Sequence, residues 1–180
     1  MIERSYLIVG QSNILKNQRG VIAKKDYKKG ELLFNVKGPI SKHKTKYSFP
    51  IDLKLNIDPR LNNGKENFGH YTNHSCIPNA FIRVIEKVNN EAYIEVIARK
   101  DIKKGDEVVT DYASFEYETS IDGLKCDCGQ KKCRGRIFGF KDLPDSLKKK
   151  YEEEGIIPSY LIKLYNKLYN KKKYAQTASR

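Results

Sequence analysis

Residues 73–80 read Asn-His-Ser-Cys-Ile-Pro-Asn-Ala, and residues 126–133 read Cys-Asp-Cys-Gly-Gln-Lys-Lys-Cys. Between them these two stretches hold all four cysteines of the chain. One thiol plus a tight trio is the complement a closed tetrahedral metal site requires, and thiolates favour zinc. Closing such a site would tie Cys76 to Cys126, Cys128 and Cys133, the first of them fifty positions downstream. Structural zinc in small peptides contributes roughly 10–16 kcal/mol, enough to order a tail of this length. Two disulfides and a set of buried free thiols are the alternatives. A Cys126–Cys128 disulfide would close a small, strained ring.

The chain has 180 residues, which suits one domain with appendages and a single sizeable core. Its formal charge of +13 is carried mostly by lysine. A field of that sign favours polyanions such as nucleic acid, or acidic proteins. A lysine-rich solvated surface explains it equally well. No apolar run approaches membrane-spanning length, and the opening MIERSYLIVG is too polar and short for a signal peptide. The expectation is a soluble intracellular protein with no membrane association, with nuclear chromatin and bacterial cytoplasm both open. Oligomeric state is not legible.

An internal similarity organises the first two-thirds. Residues 22–33 read IAKKDYKKGELL and residues 97–108 read IARKDIKKGDEV. Each predicts a strand, a Lys-Lys-Gly turn and a second strand, two like corners of a compact β fold. Alternation predicts strands at 81–86, where Phe81, Arg83 and Ile85 oppose Ile82 and Val84, and at 92–98, where Ala92, Ile94, Val96 and Ala98 share a face. Asn89-Asn90 suits the turn between them. Val108 to Asp111 predicts another short strand. Beyond Phe140 the pattern becomes helical: one helix from Pro144-Asp145 toward Glu154, ended by Gly155, and a second with Pro158 in its first turn. In the second, Tyr160, Leu161, Leu164, Tyr165, Leu168 and Tyr169 form a stripe expected to dock on the β core, with a frayed basic tail from Lys171.

The segment NHSCIPN resembles the core motif of SET-domain protein-lysine methyltransferases, NHSC-x-PN, and the cysteine trio resembles their post-SET motif, C-x-C-x4-C. Asp111-Tyr112 after GDEVVT resembles the end of the family's second core motif. The run 18–23, QRGVIA, resembles its first cofactor loop, with Gln18 where the first glycine of G-x-G usually stands. His70 replaces an arginine the family often carries before the aromatic at Tyr71. The likeness spans roughly 18–140 and is greatest to compact SET proteins without a pre-SET zinc cluster.

The resemblance implies a mainly β fold with some α: a SET β-clip of small antiparallel sheets with a knot-like core, a zinc-bound post-SET segment and C-terminal helices. It divides the chain into an N-terminal flank (1–17), a SET domain (18–117), a post-SET zinc segment (118–140) and a helical extension (141–180). It implies S-adenosylmethionine as cosubstrate, held by Arg19, Gly20, Tyr71, Asn73 and His74, and zinc on Cys76, Cys126, Cys128 and Cys133. Tyr112 takes the role of the catalytic phenol, and Tyr47 lines the lysine channel. Phe115 and Tyr117 are the candidates for the aromatic that limits the number of methyls. The partner it implies is a protein with a target lysine, one such as a histone, with Glu116, Glu118 and Asp122 as the acidity of the groove. Read from the residues alone, Asn73 to Ser75 also suit a polar turn before Pro78, and Tyr112 an amphipathic packing residue. A non-catalytic zinc-stapled module binding peptide or nucleic acid, and a small zinc-ribbon nucleic-acid binder, are the competing functions.

Overall fold

A computed structural model describes residues 6–59, 67–88, 91–119 and 121–178. Among the described residues, ten short strands form three sheets. The first joins β1 (Leu7–Gln11), β2 (Arg19–Ala23), β10 (Glu107–Thr110) and β7 (Asn73–His74) in the order β1-β2-β10-β7. Its pairings are antiparallel except between β10 and β7, which run parallel. The second orders β3 (Leu32–Val36), β9 (Glu91–Ala98) and β8 (Ala80–Val88) as β3-β9-β8, and the third orders β4 (Ile40–Ser41), β6 (Asn56–Ile57) and β5 (Phe49–Pro50) as β4-β6-β5.

The alternation expected of β8 and β9 appears as burial. Ile94, Val96 and Ala98 face a core that also contains Val21, Val36, Ile57, Ile82, Ile102 and Val108. Phe81, on the other face of β8, packs instead with a second cluster beneath the C-terminal helices. The two strands are antiparallel, whereas the Asn89-Asn90 turn and the side chain of Ala92 lie outside the described residues. β10 ends at Thr110, one residue short of the expected strand, because the Asp111 side chain turns back to accept from Ala113 N and caps the 3-10 turn at Tyr112–Ser114.

The two Lys-Lys-Gly corners clasp one another about a local two-fold axis. Tyr27 and Ile102 exchange both backbone hydrogen bonds, 2.8 and 2.9 Å. Asp26 accepts from Lys104 N and Asp101 from Lys29 N, each at 2.9 Å. Lys103 in turn pairs with Asp26 and Lys28 with Asp101. Gly30 and Gly105 occupy the matching left-handed positions, φ 88° and 94°. Repetition in sequence has become reciprocal contact in space.

Helix α1 spans Asp145–Glu153 and closes at Gly155, whose φ is 66°. Gly155 N donates to Glu152 O and Ile156 N to Tyr151 O, the paired bonds of a Schellman cap. Helix α2 spans Ser159–Ala178, so Pro158 precedes the helix rather than sitting in its first turn. Helix α2 runs past Lys171 to Ala178, through residues of good helix propensity. As expected, the start of the stripe docks, with Leu161 buried and Tyr160 and Tyr165 packed near Ala113 and Phe140. The side chain of Tyr169 lies outside the described residues.

Tyr151, on the buried face of α1, donates to Asp111 Oδ2 at 2.9 Å. A hydrogen bond to a charged group contributes about 1.5–3 kcal/mol. Tyr151→Phe should therefore lower stability by about 2 kcal/mol in urea unfolding, on the same principle.

Candidate active site and metal centre

Residues 73–79 grip β10 along its length. β7 pairs with Val109 and Thr110, and Ser75 N donates to Thr110 O at 2.9 Å. Asn79 donates through Nδ2 to Glu107 O and accepts from Val109 N, at 2.8 and 2.9 Å. Its side-chain amide thus stands in for a missing strand. Asn73 Nδ2 reaches Arg19 O at 2.9 Å and Glu107 Oε1 at 2.7 Å. Ser75 does bond its own turn, accepting from Ile77 N, as a polar turn would. Asn73 does not, since its partners lie 54 and 34 residues away in sequence.

Glu107 holds the segment from Ser12 to Gly20 in place. Its buried carboxylate also accepts from Ser12 Oγ at 2.8 Å and Asn13 N at 2.7 Å. A Cβ on Gly20 would meet Glu107 Oε1 at 2.2 Å, so this position is small because a fixed carboxylate lies against it. The left-handed residue of the preceding turn is Asn17, φ 61°, not Gln18. Gln18 therefore stands where family members carry glycine without straining the backbone.

Asp111 is fully buried and accepts from both terminal nitrogens of Arg134 at 2.7 Å, beside the bonds from Tyr151 and Ala113 N. Desolvation opposes the Arg134 charge, and the two bonds to Asp111 overcome it, raising the guanidinium pKa. His74 lies 3.7 Å from Asp111 but forms no ion pair at neutral pH, because burial lowers its imidazole pKa to about 4. In its neutral form Nδ1 accepts from Tyr112 N at 3.3 Å, which leaves the proton on Nε2, 3.5 Å from Cys76 Sγ. Both ring nitrogens are thereby committed within the protein.

The Tyr112 phenol donates to Thr72 O at 3.0 Å. Burial, reinforced by Glu116 and Glu107, raises its pKa, so it is protonated at neutral pH. It faces a cavity of about 410 Å³ whose walls include Arg19, Tyr47, Tyr71, Asn73, Phe115 and Glu116. A second cavity of about 280 Å³ shares Gln18, Asn73, Tyr112 and Ile121 with the first and continues past His74 to Cys126 and Cys128. Arg19 lies over the Tyr71 ring at 4.8 Å. His70 stacks on Tyr47, centroids 4.3 Å apart, and so fills with a ring the place for which arginine was expected.

Of the two candidate size-limiting aromatics, Phe115 lines the cavity, stacked on Phe49 and edge-on to Tyr112. Tyr117 packs instead with Phe138 and Phe140 in the helical cluster. The expected acidity is redistributed too. Glu116 lies in the cavity wall with Lys44 at 2.9 Å, whereas Glu118 pairs with Lys141 and Asp122 is exposed.

The cysteines converge as the spacing predicted. Sγ atoms of Cys76, Cys126, Cys128 and Cys133 all lie within 4.8 Å of one another, and none is in a disulfide. Cys76 and Cys126 sulfurs are 3.7 Å apart, close to the edge of about 3.8 Å that a tetrahedron with 2.3 Å zinc–sulfur bonds has. Backbone N–H groups of Arg134 and Gly135 point at Cys76 and Cys133 sulfurs, at 3.4 and 3.3 Å. Burial raises the Cys76 thiol to about 11. A divalent cation reverses that preference by holding the sulfurs as thiolates. Donor set and closure fit a structural zinc ion.

A strand-built cleft beside a four-thiol centre, with the NHSC loop laid along β10, defines a SET fold. The sequence profile described as "SET domain" matches residues 18–113, more than half of the chain, and the chain belongs to the SET-domain family. The cysteine trio lies beyond the matched stretch. Among relatives, the chain is 37% identical over 91 residues to histone-lysine N-methyltransferase set-2 of Caenorhabditis elegans, covering 51% of this chain and 6% of that protein. It is 32% identical over 150 residues to histone-lysine N-methyltransferase TRX1 of Oryza sativa subsp. japonica, covering 74% of this chain and 14% of that one. The chain therefore spans only a small part of these relatives' length. Among solved structures, KRYPTONITE in complex with mCHG DNA and SAH superimposes with a TM-score of 0.60 at 26% identity, over 74% of this chain and 29% of that one.

Sequence reasoning missed Glu107, Asn79, Arg134 and Tyr151 as parts of this site. Asn79 closes the NHSC-x-PN motif and Arg134 directly follows the last cysteine, but only the fold reveals what their side chains reach. Gly20→Ala should destabilise the chain by about 1–3 kcal/mol, the usual result of forcing atoms into a filled space, as thermal or urea unfolding would show. Metal analysis should find one zinc per chain. Its chelation should expose the 121–138 segment to proteolysis while amides of β8 and β9 keep their hydrogen-exchange protection.

Proposed function

We propose that the chain transfers a methyl group from S-adenosylmethionine to the side-chain amine of a lysine in a basic, nucleic-acid-associated protein such as a histone. The observation that carries this reading is the pair of adjoining cavities, shared by Gln18, Asn73 and Tyr112, with the four-thiol centre at one end and an aromatic wall at the other. The SET membership and the histone-lysine methyltransferase relatives support it.

In this reading Arg19, Gly20, Tyr71 and Asn73 bind the cosubstrate, and His74 does so through its backbone, because its ring is committed elsewhere. The cosubstrate supplies a methyl carbon on a sulfonium, to which the lysine nitrogen bonds as the methyl–sulfur bond breaks and S-adenosylhomocysteine departs. The nitrogen needs its lone pair. Neutralising an ordinary lysine, pKa near 10.4, costs about 4–5 kcal/mol at pH 7. Enclosure between Tyr47, Phe49 and Phe115 disfavours the ammonium form and fixes the line of approach. Tyr112 stays protonated, so it orients the amine and is not the base that deprotonates it. Residues 18–117 carry the transfer, the thiol-bearing segment after them closes the cavity on the zinc side, and α1 with the start of α2 braces it from behind. Histones as substrate place the chain at chromatin, where its +13 charge favours nucleic-acid association.

Incubation with labelled S-adenosylmethionine and a panel of histones and ribosomal proteins should give lysine methylation that falls by about 10²-fold or more in Tyr112→Phe, the range for losing one positioned polar group at a reacting centre. Folded, zinc-loaded protein that binds no cosubstrate would sink the proposal in favour of a non-catalytic module. The rate should rise with pH, by about tenfold per unit below the pKa of the bound substrate amine, because only the neutral amine reacts.

A further inference from the structure

The clasped corners at 24–31 and 99–106 have no part in the cleft, yet they concentrate charge. These sixteen residues contain eight of the chain's 35 lysines and arginines. Four of the eight are committed or partly committed. Lys28 and Lys103 pair across the clasp with Asp101 and Asp26, Arg99 pairs with Glu154, and Lys25 lies over the Tyr6 and Tyr27 rings. The other four, Lys24, Lys29, Lys100 and Lys104, are exposed and have no carboxylate partner among the described residues. The fold brings them together in two pairs. Gly30 N bonds Ala98 O and Gly105 N bonds Ala23 O, so Lys29 lies beside the Arg99-Lys100 turn and Lys104 beside Lys24-Lys25.

We infer that this clasp is a binding surface for the phosphodiester backbone of nucleic acid, with Lys24, Lys29, Lys100 and Lys104 as its phosphate contacts. It gives a place to the nucleic-acid association put forward above and is independent of methyl transfer. Its chemistry separates a polyanion from a protein partner. The only two apolar side chains in the sixteen residues, Tyr27 and Ile102, are buried. The corners themselves therefore offer no exposed apolar side chain, the nearest apolar lining being the cavity of Ile77, Pro78, Phe81 and Ile156 beside Lys29 and Lys100, and lysine is depleted from the centres of protein interfaces. Lysine ammoniums, as compact point charges, suit contact with phosphate independent of sequence. The four carboxylates at the corners stay charged but are outnumbered by the eight cations, and each is turned to a backbone N–H: Asp26, Glu31, Asp101 and Asp106 accept from Lys104, Lys28, Lys29 and Lys103.

The test measures binding of the whole zinc-loaded chain to a short fluorescein-labelled DNA duplex across a salt series. It uses the wild type, a variant with Lys24, Lys29, Lys100 and Lys104 all changed to Gln, and a control with exposed Lys42, Lys54, Lys163 and Lys167 changed likewise. Lys28 and Lys103 are kept so that the clasp stays closed, which unchanged melting confirms. The expected result is a fall of about 3.6 in the log–log salt slope for the clasp variant, four contacts at about 0.9 each, and a much smaller change for the control. Absence of binding by the wild type would remove the nucleic-acid association itself. Binding that survives in the clasp variant, or that falls equally in the control, would overturn the assignment to this surface. Polyglutamate bound through these four lysines more tightly than the duplex would overturn the choice of nucleic acid.

Discussion

The carboxylate of Asp111 is the joint on which three separate segments meet. A buried charge is tolerated only when its bonds repay several kcal/mol of lost hydration, and here four donors do so: two from Arg134, one from Tyr151, one from Ala113 N. Each donor belongs to a different piece of the machine. Arg134 follows the last cysteine, Tyr151 belongs to α1, and Ala113 sits in the turn that carries the Tyr112 phenol. Arg134 is bound a second time, through its backbone N–H to Cys76 Sγ. The four-thiol cluster, the helical brace and the phenol are thereby positioned by one side chain that itself touches neither cavity.

His74 completes this arrangement from the other side. Its neutral ring bridges the Tyr112 backbone and the Cys76 sulfur, so the orientation of the phenol and the state of the thiols are mechanically linked. Such linkage would give zinc held by these thiols a physical route to the Tyr112 phenol without any chemistry at the metal. The helices act similarly on the far wall. Tyr160 of α2 donates to the Phe115 carbonyl, fixing the aromatic that faces Tyr112.

The legible parts of the sequence were those whose chemistry is local. Cysteine spacing foretold the thiol cluster because four ligands with none left over admit few arrangements. Alternation foretold β8 and β9, and Gly155 foretold the end of α1, because burial and positive φ are properties of single residues. The NHSC and Asp-Tyr motifs located the site through likeness to a family. What stayed hidden was pairwise and distant. Nothing near Gly20 announces that Glu107 will lie against it, and nothing near Asp111 announces Arg134 or Tyr151. The difference between Phe115 and Tyr117 was equally hidden, because a turn after a strand sets side-chain direction in a way that period-two reasoning does not reach. The lysine partners of the expected acidity were hidden for a related reason: Lys44 and Lys141 come from other segments to pair with Glu116 and Glu118.

The central place of β10 in its sheet has a consequence for how the chain comes into being. β10 separates β2 from β7, so neither can take its final neighbour until residues 107–110 exist. The corner at 22–33 likewise has no mate until the corner at 97–108 has been made. At about 5–20 residues per second, a growing chain carries its first corner unmatched for about 4–15 seconds. Throughout that interval the hairpin of β1 and β2 has an open edge on the β10 side. The lysines that flank it keep that edge charged, and charge is the usual protection of an unpaired strand against joining another chain.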